Sequence, residues 1–289
     1  MSNEQPTILV TGASGHLGSL TVHALIERGL EPARIIAAGR NTEHLQPLAQ
    51  LGVNTVRMDY DDPATVASAM EGAGTVILVS GSEIGKRIKQ HQTVIDAAAE
   101  AGISKLIYTS VTQADTTSNP VAPEHKETEA ALKASAVPFV IARNNWYTEN
   151  YLPDVATART TGTVLANAGL GKVASASRAD YAAGLAAIAL GEGFLGHTLE
   201  LGGDEPWDYK ELASAISTVI GREVEYRPVS TAELISALGE AGVDEALIGF
   251  STALGEAIRA GDLAFSDGTL SRLIGRATTP LVEGLSAHA

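Results

Sequence analysis

The stretch TILVTGASGHLG at residues 7–18 decides the fold, because an apolar run leads directly into glycines at positions 12, 15 and 18. The run predicts a buried strand, and the apolar positions after it recur at helical spacing. In such a strand, turn and helix, Gly12 allows a tight turn, Gly15 lets a pyrophosphate approach the backbone, and Gly18 lets the helix pack closely. The stretch therefore predicts a dinucleotide-binding unit, although Gly-Ala-Ser-Gly is also common in ordinary turns.

The first half of the chain alternates between apolar runs and helical patterns. Six strand candidates, from residues 7–10 to residues 138–143, alternate with helix candidates. This alternation is typical of an α/β fold with a doubly wound parallel sheet, the Rossmann arrangement. Ligands of such sheets bind beyond the carboxyl ends of the strands. The segments after three of the strands are therefore expected to meet in one cleft: residues 80–82, 110–112 and 144–147.

The second half of the chain is less regular. After residue 150 it consists of glycine-rich turns, short extended pieces and helical patterns. We expect the Rossmann domain at residues 1–150, with returning segments near 173–202. A second, smaller α/β lobe that covers the substrate is predicted at residues 151–289. A chain of 289 residues with 45% hydrophobic content is long enough for one large domain and a smaller lobe.

Composition excludes several classes of function. The 20 Lys and Arg residues against 34 Asp and Glu residues give a net charge of −14, which repels nucleic acid. The absence of cysteine excludes disulfides, thiol nucleophiles and thiolate metal sites, and the seven scattered histidines predict no metal site. The polar, acidic start does not resemble a signal peptide, and no apolar run is long enough for a membrane span. We therefore expect a cytoplasmic protein with no nucleic-acid or membrane partner.

Two strand ends carry the remaining cofactor signals. One predicted strand ends in Gly39-Arg40-Asn41, and no acidic residue follows until Glu43. A carboxylate near this point accepts a hydrogen bond from the ribose 2′-hydroxyl of NAD, whereas a basic residue accommodates the 2′-phosphate of NADP. Arg40 therefore favours NADP, with an ordinary surface charge as the alternative. Ser80, Gly81 and Ser82 follow another strand and would let a ribose or nicotinamide approach, or form a plain loop.

The usual proton-transfer pair of short-chain dehydrogenases, Tyr-x-x-x-Lys, is missing. None of the seven tyrosines has a lysine four residues later. At the expected position, in the helix after the strand that ends at Ser110, the spacing is occupied by His125 and Glu129. These two side chains lie one helical turn apart and could share a proton. The alternative is an exposed polar face, because the whole segment is charged.

Seven motifs together closely resemble the NmrA-like atypical short-chain dehydrogenases, and within them the bacterial NADPH:quinone oxidoreductases and triphenylmethane dye reductases. The segment at residues 143–151 is the most specific, and the similarity covers nearly the whole chain. The motifs are TGASGHLG at 11–18, GRN at 39–41, SGSEIGKR at 80–87, YTS at 108–110, EHKETE at 124–129, RNNWYTENY at 143–151 and SRADYA at 177–182.

The resemblance implies which residues hold NADPH. The turn after the first strand would hold the pyrophosphate, Arg40 the 2′-phosphate, the loop at residues 80–82 the ribose side, and residues 143–147 the nicotinamide end. His44 occupies the region where relatives often have a second basic residue, which implies a weaker or pH-dependent preference for NADPH. The implied cofactor-binding residues are Gly12, Ser14, Gly15, His16, Leu17, Arg40, Ser80, Gly81, Ser82, Arg143, Asn144 and Trp146.

The resemblance also implies hydride transfer to a small-molecule acceptor of the quinone type. The product oxygens of a quinone are weakly basic, so water can supply protons while the protein holds the acceptor against the nicotinamide. Trp146 and Tyr147 would form a stacking wall, or be ordinary packing aromatics. The candidate catalytic residues are Tyr147, Asn144 and His125.

Several alternatives stay open at this point. The acceptor could instead be a triphenylmethane or azo dye, and the acidic net charge makes a cationic dye plausible. The missing proton-transfer pair also fits an NADP-sensing regulatory protein of the NmrA type, whereas it disfavours a sugar-nucleotide epimerase. The resemblance to the NmrA-like family also implies that this protein forms a homodimer.

Overall fold

The computed structural model describes residues 6–287 of the chain. By its internal contacts the chain divides into two compact units. The first unit contains the described residues up to Val111, together with Pro123–Asn144 and Arg178–Leu199. The second unit contains Thr112–Ala122, Asn145–Ser177 and the residues from Glu200 onward.

A seven-stranded sheet forms the centre of the first unit, with the strand order β3-β2-β1-β4-β5-β6-β9. Each neighbouring pair among β1 to β6 is parallel, as βαβ crossovers require. The order reverses between β1 and β4, which is the point where such sheets bind ligands. The strands are β1 (Ile8–Val10), β2 (Ile35–Gly39), β3 (Asn54–Arg57), β4 (Thr75–Leu78), β5 (Lys105–Val111), β6 (Phe139–Asn144) and β9 (Thr198–Leu201).

Helices connect these strands, and the central strands β1 and β4 are buried. All three residues of β1 and the apolar residues of β4 are completely buried, as expected of central parallel strands. Helix α7 packs against α1. The helices are α1 (His16–Glu27), α2 (Gln46–Ala49), α3 (Pro63–Ala69), α4 (Arg87–Glu100), α5 (Ala122–Ala134) and α7 (Arg178–Leu190), and 3₁₀ turns lie at Pro32–Arg34 and Thr42–Leu45.

The second unit combines helices with two small two-stranded sheets, in which β7 pairs with β11 and β8 with β10. Its own core is rich in aromatic residues, among them Tyr151, Trp207, Tyr209 and Tyr226. The elements are a 3₁₀ turn at Thr148–Tyr151, α6 (Leu152–Thr161), β7 (Thr163–Ala166), β8 (Lys172–Val173), β10 (Trp207–Asp208), α8 (Tyr209–Ile220), β11 (Glu225–Pro228), α9 (Thr231–Glu240), α10 (Glu245–Ala260), α11 (Thr269–Ile274) and α12 (Leu281–Ser286).

Local chemistry explains where α8 begins. The sequence predicts a helix that starts at Trp207, but Trp207 and Asp208 form a short strand and the helix begins at Tyr209. The Asp208 side chain accepts hydrogen bonds from the backbone N–H groups of Lys210 and Glu211. In turn, the Glu211 carboxylate accepts a hydrogen bond from the Asp208 backbone N–H. This capping box satisfies donors that the first helical turn would otherwise leave unpaired.

Within residues 6–287, no helix combines the length and apolar character that crossing a membrane requires.

Candidate functional site

The turn between β1 and α1 has the geometry that its glycines predict. Gly12 adopts a left-handed backbone conformation with φ +59°, which an L side chain rarely adopts. A Cβ on Gly18 would lie 2.3 Å from the Gly12 carbonyl oxygen, so only glycine lets α1 approach the turn. Gly15 is the N-cap residue of α1 and has no side-chain capping partner. The backbone N–H groups of this helix end are available to an anion.

A cleft of about 290 Å³ opens at this turn, within the first unit. It lies at the ends of β1, β2 and β4, where a doubly wound sheet binds its ligand. The glycine turn, the basic residue after β2 and the small-residue loop after β4 all contribute to it. Predicted cofactor residues that line it are Gly12, Ser14, Gly15, His16, Leu17, Arg40, Ser80, Gly81 and Ser82, and other lining residues include Asp59, Tyr60, Glu83, Gln90 and Arg178.

Arg40 is an exposed cation at the edge of this cleft, and it is paired. Its Nη1 atom lies 2.6 Å from Oε1 of Glu83, in the loop after β4. The other carboxylate oxygen of Glu83 lies 2.9 Å from Nζ of Lys86. Hydrogen bonding to Lys86, and then the charge of Lys86, lowers the pKa of Glu83. The 2′-phosphate site predicted at Arg40 therefore contains a carboxylate and a second cation nearby.

The backbone of Gly81 is held by two side chains from α4. The Gly81 N–H donates to Nε2 of His91 over 3.0 Å, and Nε of Arg87 donates to the Gly81 carbonyl oxygen over 2.5 Å. Burial and the charge of Arg87 lower the pKa of His91 to about 3. His91 is therefore neutral, with Nε2 accepting and Nδ1 donating to Thr128 Oγ1 at 3.1 Å.

His125 is buried and its partner is Tyr108. The Tyr108 hydroxyl lies 2.7 Å from Nδ1 of His125, and the His125 side chain is 6% exposed. Burial, followed by the charge of Arg87, lowers the pKa of His125 to about 3. Burial raises the pKa of the Tyr108 hydroxyl. Both groups are therefore neutral near pH 7, and His125 does not offer an imidazolium proton there.

Glu129 joins two strand ends rather than sharing a proton with His125. It accepts from Ser110 Oγ at 2.6 Å and forms a two-pronged ion pair with Arg143, with distances of 2.8 Å and 2.7 Å. Glu129 and Arg143 are 2% and 5% exposed. A buried charge pair of this geometry holds β5, β6 and α5 together. The alternative prediction, that residues 124–129 form an exposed polar face, is therefore wrong for His125 and Glu129, which are both buried.

The residues predicted at the nicotinamide end are distributed over both units. Arg143 and Asn144 are buried at the end of β6 in the first unit. Trp146 and Tyr147 belong to the second unit, where Tyr147 forms a bridge to Ala176 and Trp146 stacks on Phe250 with ring centroids 6.5 Å apart. None of these four residues lines the cleft in the first unit.

A second, largely apolar cavity of about 890 Å³ lies within the second unit. Its charged lining residues are the carboxylates Glu149 and Asp154, and burial raises the pKa of Asp154 to about 6. Tyr151 also belongs to the lining, and its hydroxyl is buried beside Tyr209, without a hydrogen bond of ordinary geometry to any of residues 6–287. The aromatic and large aliphatic lining residues are Trp146, Tyr151, Tyr209, Leu234, Leu238, Leu247, Phe250 and Leu254.

The two cavities differ in the chemistry they offer. The first combines a helix N-terminus, small residues and a cation, which fits the phosphates and riboses of a dinucleotide. A Cβ on Gly39 would lie 2.8 Å from Ser14 Oγ, so the end of β2 closes directly on the glycine turn. The second offers flat apolar walls, which fit an aromatic ring system. Each unit thus supplies one of the two binding chemistries of a nucleotide-dependent reductase, a dinucleotide cleft in the first unit and an apolar cavity in the second.

The chain belongs to the NmrA-like family, whose model matches residues 4–281. It is 38% identical over 279 residues to quinone oxidoreductase 2 of Escherichia coli K12, covering 96% of this chain and 97% of that protein. The crystal structure of the Escherichia coli NADPH-dependent quinone oxidoreductase with NADPH matches with a TM-score of 0.93, covering 97% and 99% of the two chains. The Citrobacter sp. triphenylmethane reductase complexed with NADP(H) matches with a TM-score of 0.91 at 33% identity, covering 98% and 100%.

Proposed function

We propose that this protein is an NADPH-dependent reductase that transfers hydride to a quinone-type acceptor, and that it is an atypical short-chain dehydrogenase. The observation that carries the proposal is the cleft in which a glycine turn, the start of α1 and Arg40 form one lining. The 38% identity with the Escherichia coli quinone oxidoreductase supports the same acceptor class.

The described residues fit NADPH. The N–H groups at the start of α1 would hold the pyrophosphate, and Gly15 gives it access because it carries no side chain. Arg40 would pair with the 2′-phosphate, and Ser80 to Ser82 would lie along the ribose. When bound, NADPH supplies the hydride for the acceptor. His91 and Arg87 keep the Gly81 peptide in one orientation, which fixes the wall of the cleft.

The acceptor would bind in the apolar cavity of the second unit. Trp146 and Phe250 already stack there and offer a flat surface to a ring. Burial raises the pKa of Tyr151 well above its ordinary value, so its hydroxyl stays protonated and can donate to an acceptor oxygen. Tyr147 and Asn144, which the family resemblance assigns to the nicotinamide end, are the alternative donors. Because His125 is neutral, it would not act as an acid. Its role would be to hold the Tyr108 hydroxyl in place through their hydrogen bond.

A cationic triphenylmethane dye is the second candidate acceptor, and the charges of the cavity favour it. Glu149 and Asp154 are its charged lining residues, and both are acidic. Since the pKa of Asp154 is about 6, its carboxylate forms as the pH rises from 5 to 7. The KM for a cationic dye should therefore fall over this range, and Asp154→Asn should remove the trend. Glu245→Gln, which removes an exposed charge outside the cavity, should keep it.

Turnover with defined acceptors tests the proposal. The experiment follows NADPH oxidation with small quinones and cationic dyes, and compares kcat/KM between the two classes. Tight NADPH binding without turnover of any acceptor would instead favour an NADP-sensing regulatory protein.

We also propose that the protein forms a homodimer and is located in the cytoplasm. Light scattering of the purified protein tests the homodimer, and fractionation of the source cells tests the location.

A further inference from the structure

We propose that Glu83 sets the cofactor specificity of this protein, by competing with the 2′-phosphate of NADPH for Arg40 and by offering a carboxylate to the 2′-hydroxyl of NADH. This inference rests on the proposed use of NADPH. It predicts a reductase that discriminates less between the two cofactors than Arg40 alone would allow.

The contacts of Glu83 place a negative charge beside the cation that the phosphate needs. Oε1 of Glu83 lies 2.6 Å from Arg40 Nη1, and both side chains line the same cleft. Oε2 of Glu83 lies 2.9 Å from Lys86 Nζ. A phosphate that pairs with Arg40 either takes over this contact or shares the guanidinium with Glu83, and in both cases it meets the repulsion of a like charge. Glu83 therefore opposes the binding of NADPH more than that of NADH.

The loop that carries Glu83 is anchored on both sides of it. On one side, His91 and Arg87 hold the N–H and the carbonyl of Gly81. On the other side, the Gly85 N–H donates to Oε1 of Glu124 over 2.8 Å. Since the backbone is fixed at both points, a bound phosphate can turn the Glu83 side chain but leaves its charge near the cleft. Lys86 would then keep one carboxylate oxygen.

Glu83 also supplies the group that NADH sites use. In NAD-specific Rossmann sites a carboxylate near the end of the second strand accepts a hydrogen bond from the ribose 2′-hydroxyl. No such acid follows β2 in the sequence before Glu43, but the loop after β4 brings Glu83 to the residue that directly follows β2, Arg40. The site thus combines the basic residue of one cofactor class with the carboxylate of the other.

The test is calorimetric titration of wild-type protein and of Glu83→Gln with NADPH and with NADH, without any acceptor. Glu83→Gln should lower the Kd for NADPH about twofold to fivefold, the size expected for an exposed charge pair, and leave the Kd for NADH unchanged or raised. The ratio of the Kd for NADH to the Kd for NADPH therefore increases. Glu43→Gln removes the same charge from the neighbouring turn, outside the cleft lining, and should leave the ratio unchanged.

Three results would overturn the inference. An unchanged ratio in Glu83→Gln would show that the carboxylate does not affect the choice of cofactor. Weaker NADPH binding in this variant would show that Glu83 holds Arg40 in place for the phosphate instead of competing with it. A wild-type protein that binds neither dinucleotide would reject the proposed function itself, and the inference with it. Binding of both dinucleotides without turnover would reject the reductase activity alone.

Discussion

The Gly81 backbone N–H donates a hydrogen bond to Nε2 of His91 over 3.0 Å, and the His91 side chain is completely buried. The imidazole is therefore a fixed acceptor beneath a loop that lines the cofactor cleft. Its other nitrogen, Nδ1, is hydrogen-bonded to Thr128 Oγ1. The imidazole also meets the Tyr108 ring edge-on, with ring centroids 5.4 Å apart. These three contacts together fix the position of the ring and, through it, of the Gly81 peptide.

His91→Leu should weaken NADPH binding about tenfold and lower the free energy of unfolding by about 2 kcal/mol, because the variant leaves Gly81 and Thr128 without a buried partner. Calorimetric titration and urea unfolding measure the two effects. His23→Leu, at an exposed position of α1, is the matched control and should change neither. Loss of stability with an unchanged Kd would mean that His91 only supports packing.

Stability should decrease as the pH falls from about 6.5 to 4, because His91 and His125 both have pKa values of about 3 in the folded state. The unfolded chain binds protons at these histidines below about pH 6.5, whereas the folded protein does not. Each histidine then lowers the free energy of unfolding by up to about 1.4 kcal/mol for every pH unit of acidification. Its stabilising contribution is fully present above about pH 6.5 and is lost as the pH falls below that value.

Urea unfolding at pH 7 and pH 5 measures this slope. His125→Gln should reduce the difference between the two pH values, since glutamine does not titrate. His23→Gln should preserve the wild-type difference. An equal difference in all three proteins would show that other groups determine the acid sensitivity.

The sequence was informative where function depends on local backbone geometry. The glycine turn and the parallel strands follow from residue spacing, because a tight turn, a close helix contact and a buried strand each require particular neighbours along the chain. Arg40 is also recognisable, since it lies directly after β2. These groups are recognisable in the sequence because each has its structural cause within a few residues.

Groups that meet only through tertiary structure were not predicted. Glu83 lies 43 residues from Arg40, and His91 acts on a backbone group, so neither carries a local sequence signal. The segment with His125 and Glu129 reads as charged and exposed, but strands β5 and β6 bring Tyr108 and Arg143 to these side chains and bury all four. Burial by distant strands cannot be read from the charge of one helix.

Gly15 and Gly18 should respond differently to substitution, although they lie in the same motif. A Cβ on Gly18 would lie within 2.8 Å of three backbone atoms, so Gly18→Ala should lower the free energy of unfolding by about 1–3 kcal/mol. A Cβ on Gly15 would meet only the Gly12 carbonyl oxygen, at 3.3 Å, and the Gly15 backbone is extended. Gly15→Leu should therefore fold but lose NADPH binding, because its side chain blocks access to the helix end.

Thermal unfolding and NADPH titration separate the two effects. Gly239→Ala, within α9 and with open space around the position, is the control and should stabilise the protein by about 0.5–1 kcal/mol. Tight NADPH binding by Gly15→Leu would contradict the assignment of the pyrophosphate to this turn.

The Tyr151 hydroxyl should assist the reduction of the acceptor. Tyr151 lines the apolar cavity, and its buried hydroxyl makes no hydrogen bond of ordinary geometry among the described residues. Because the hydroxyl makes only a weak contact with Tyr209, Tyr151→Phe should lower the free energy of unfolding by less than about 1 kcal/mol. If the hydroxyl donates to the acceptor oxygen as charge develops, kcat/KM for a small quinone should fall by about tenfold to a hundredfold with an unchanged Kd for NADPH.

Two further tyrosine variants identify the donor. Tyr226 donates to the Gly169 carbonyl oxygen at 3.2 Å and lies outside the cavity lining, so Tyr226→Phe should lower stability by about 1 kcal/mol and leave kcat/KM unchanged. Tyr147→Phe tests the donor that the family resemblance implies. A loss of activity in Tyr147→Phe together with full activity in Tyr151→Phe would assign the donor to Tyr147, and full activity in both variants would leave water as the proton source.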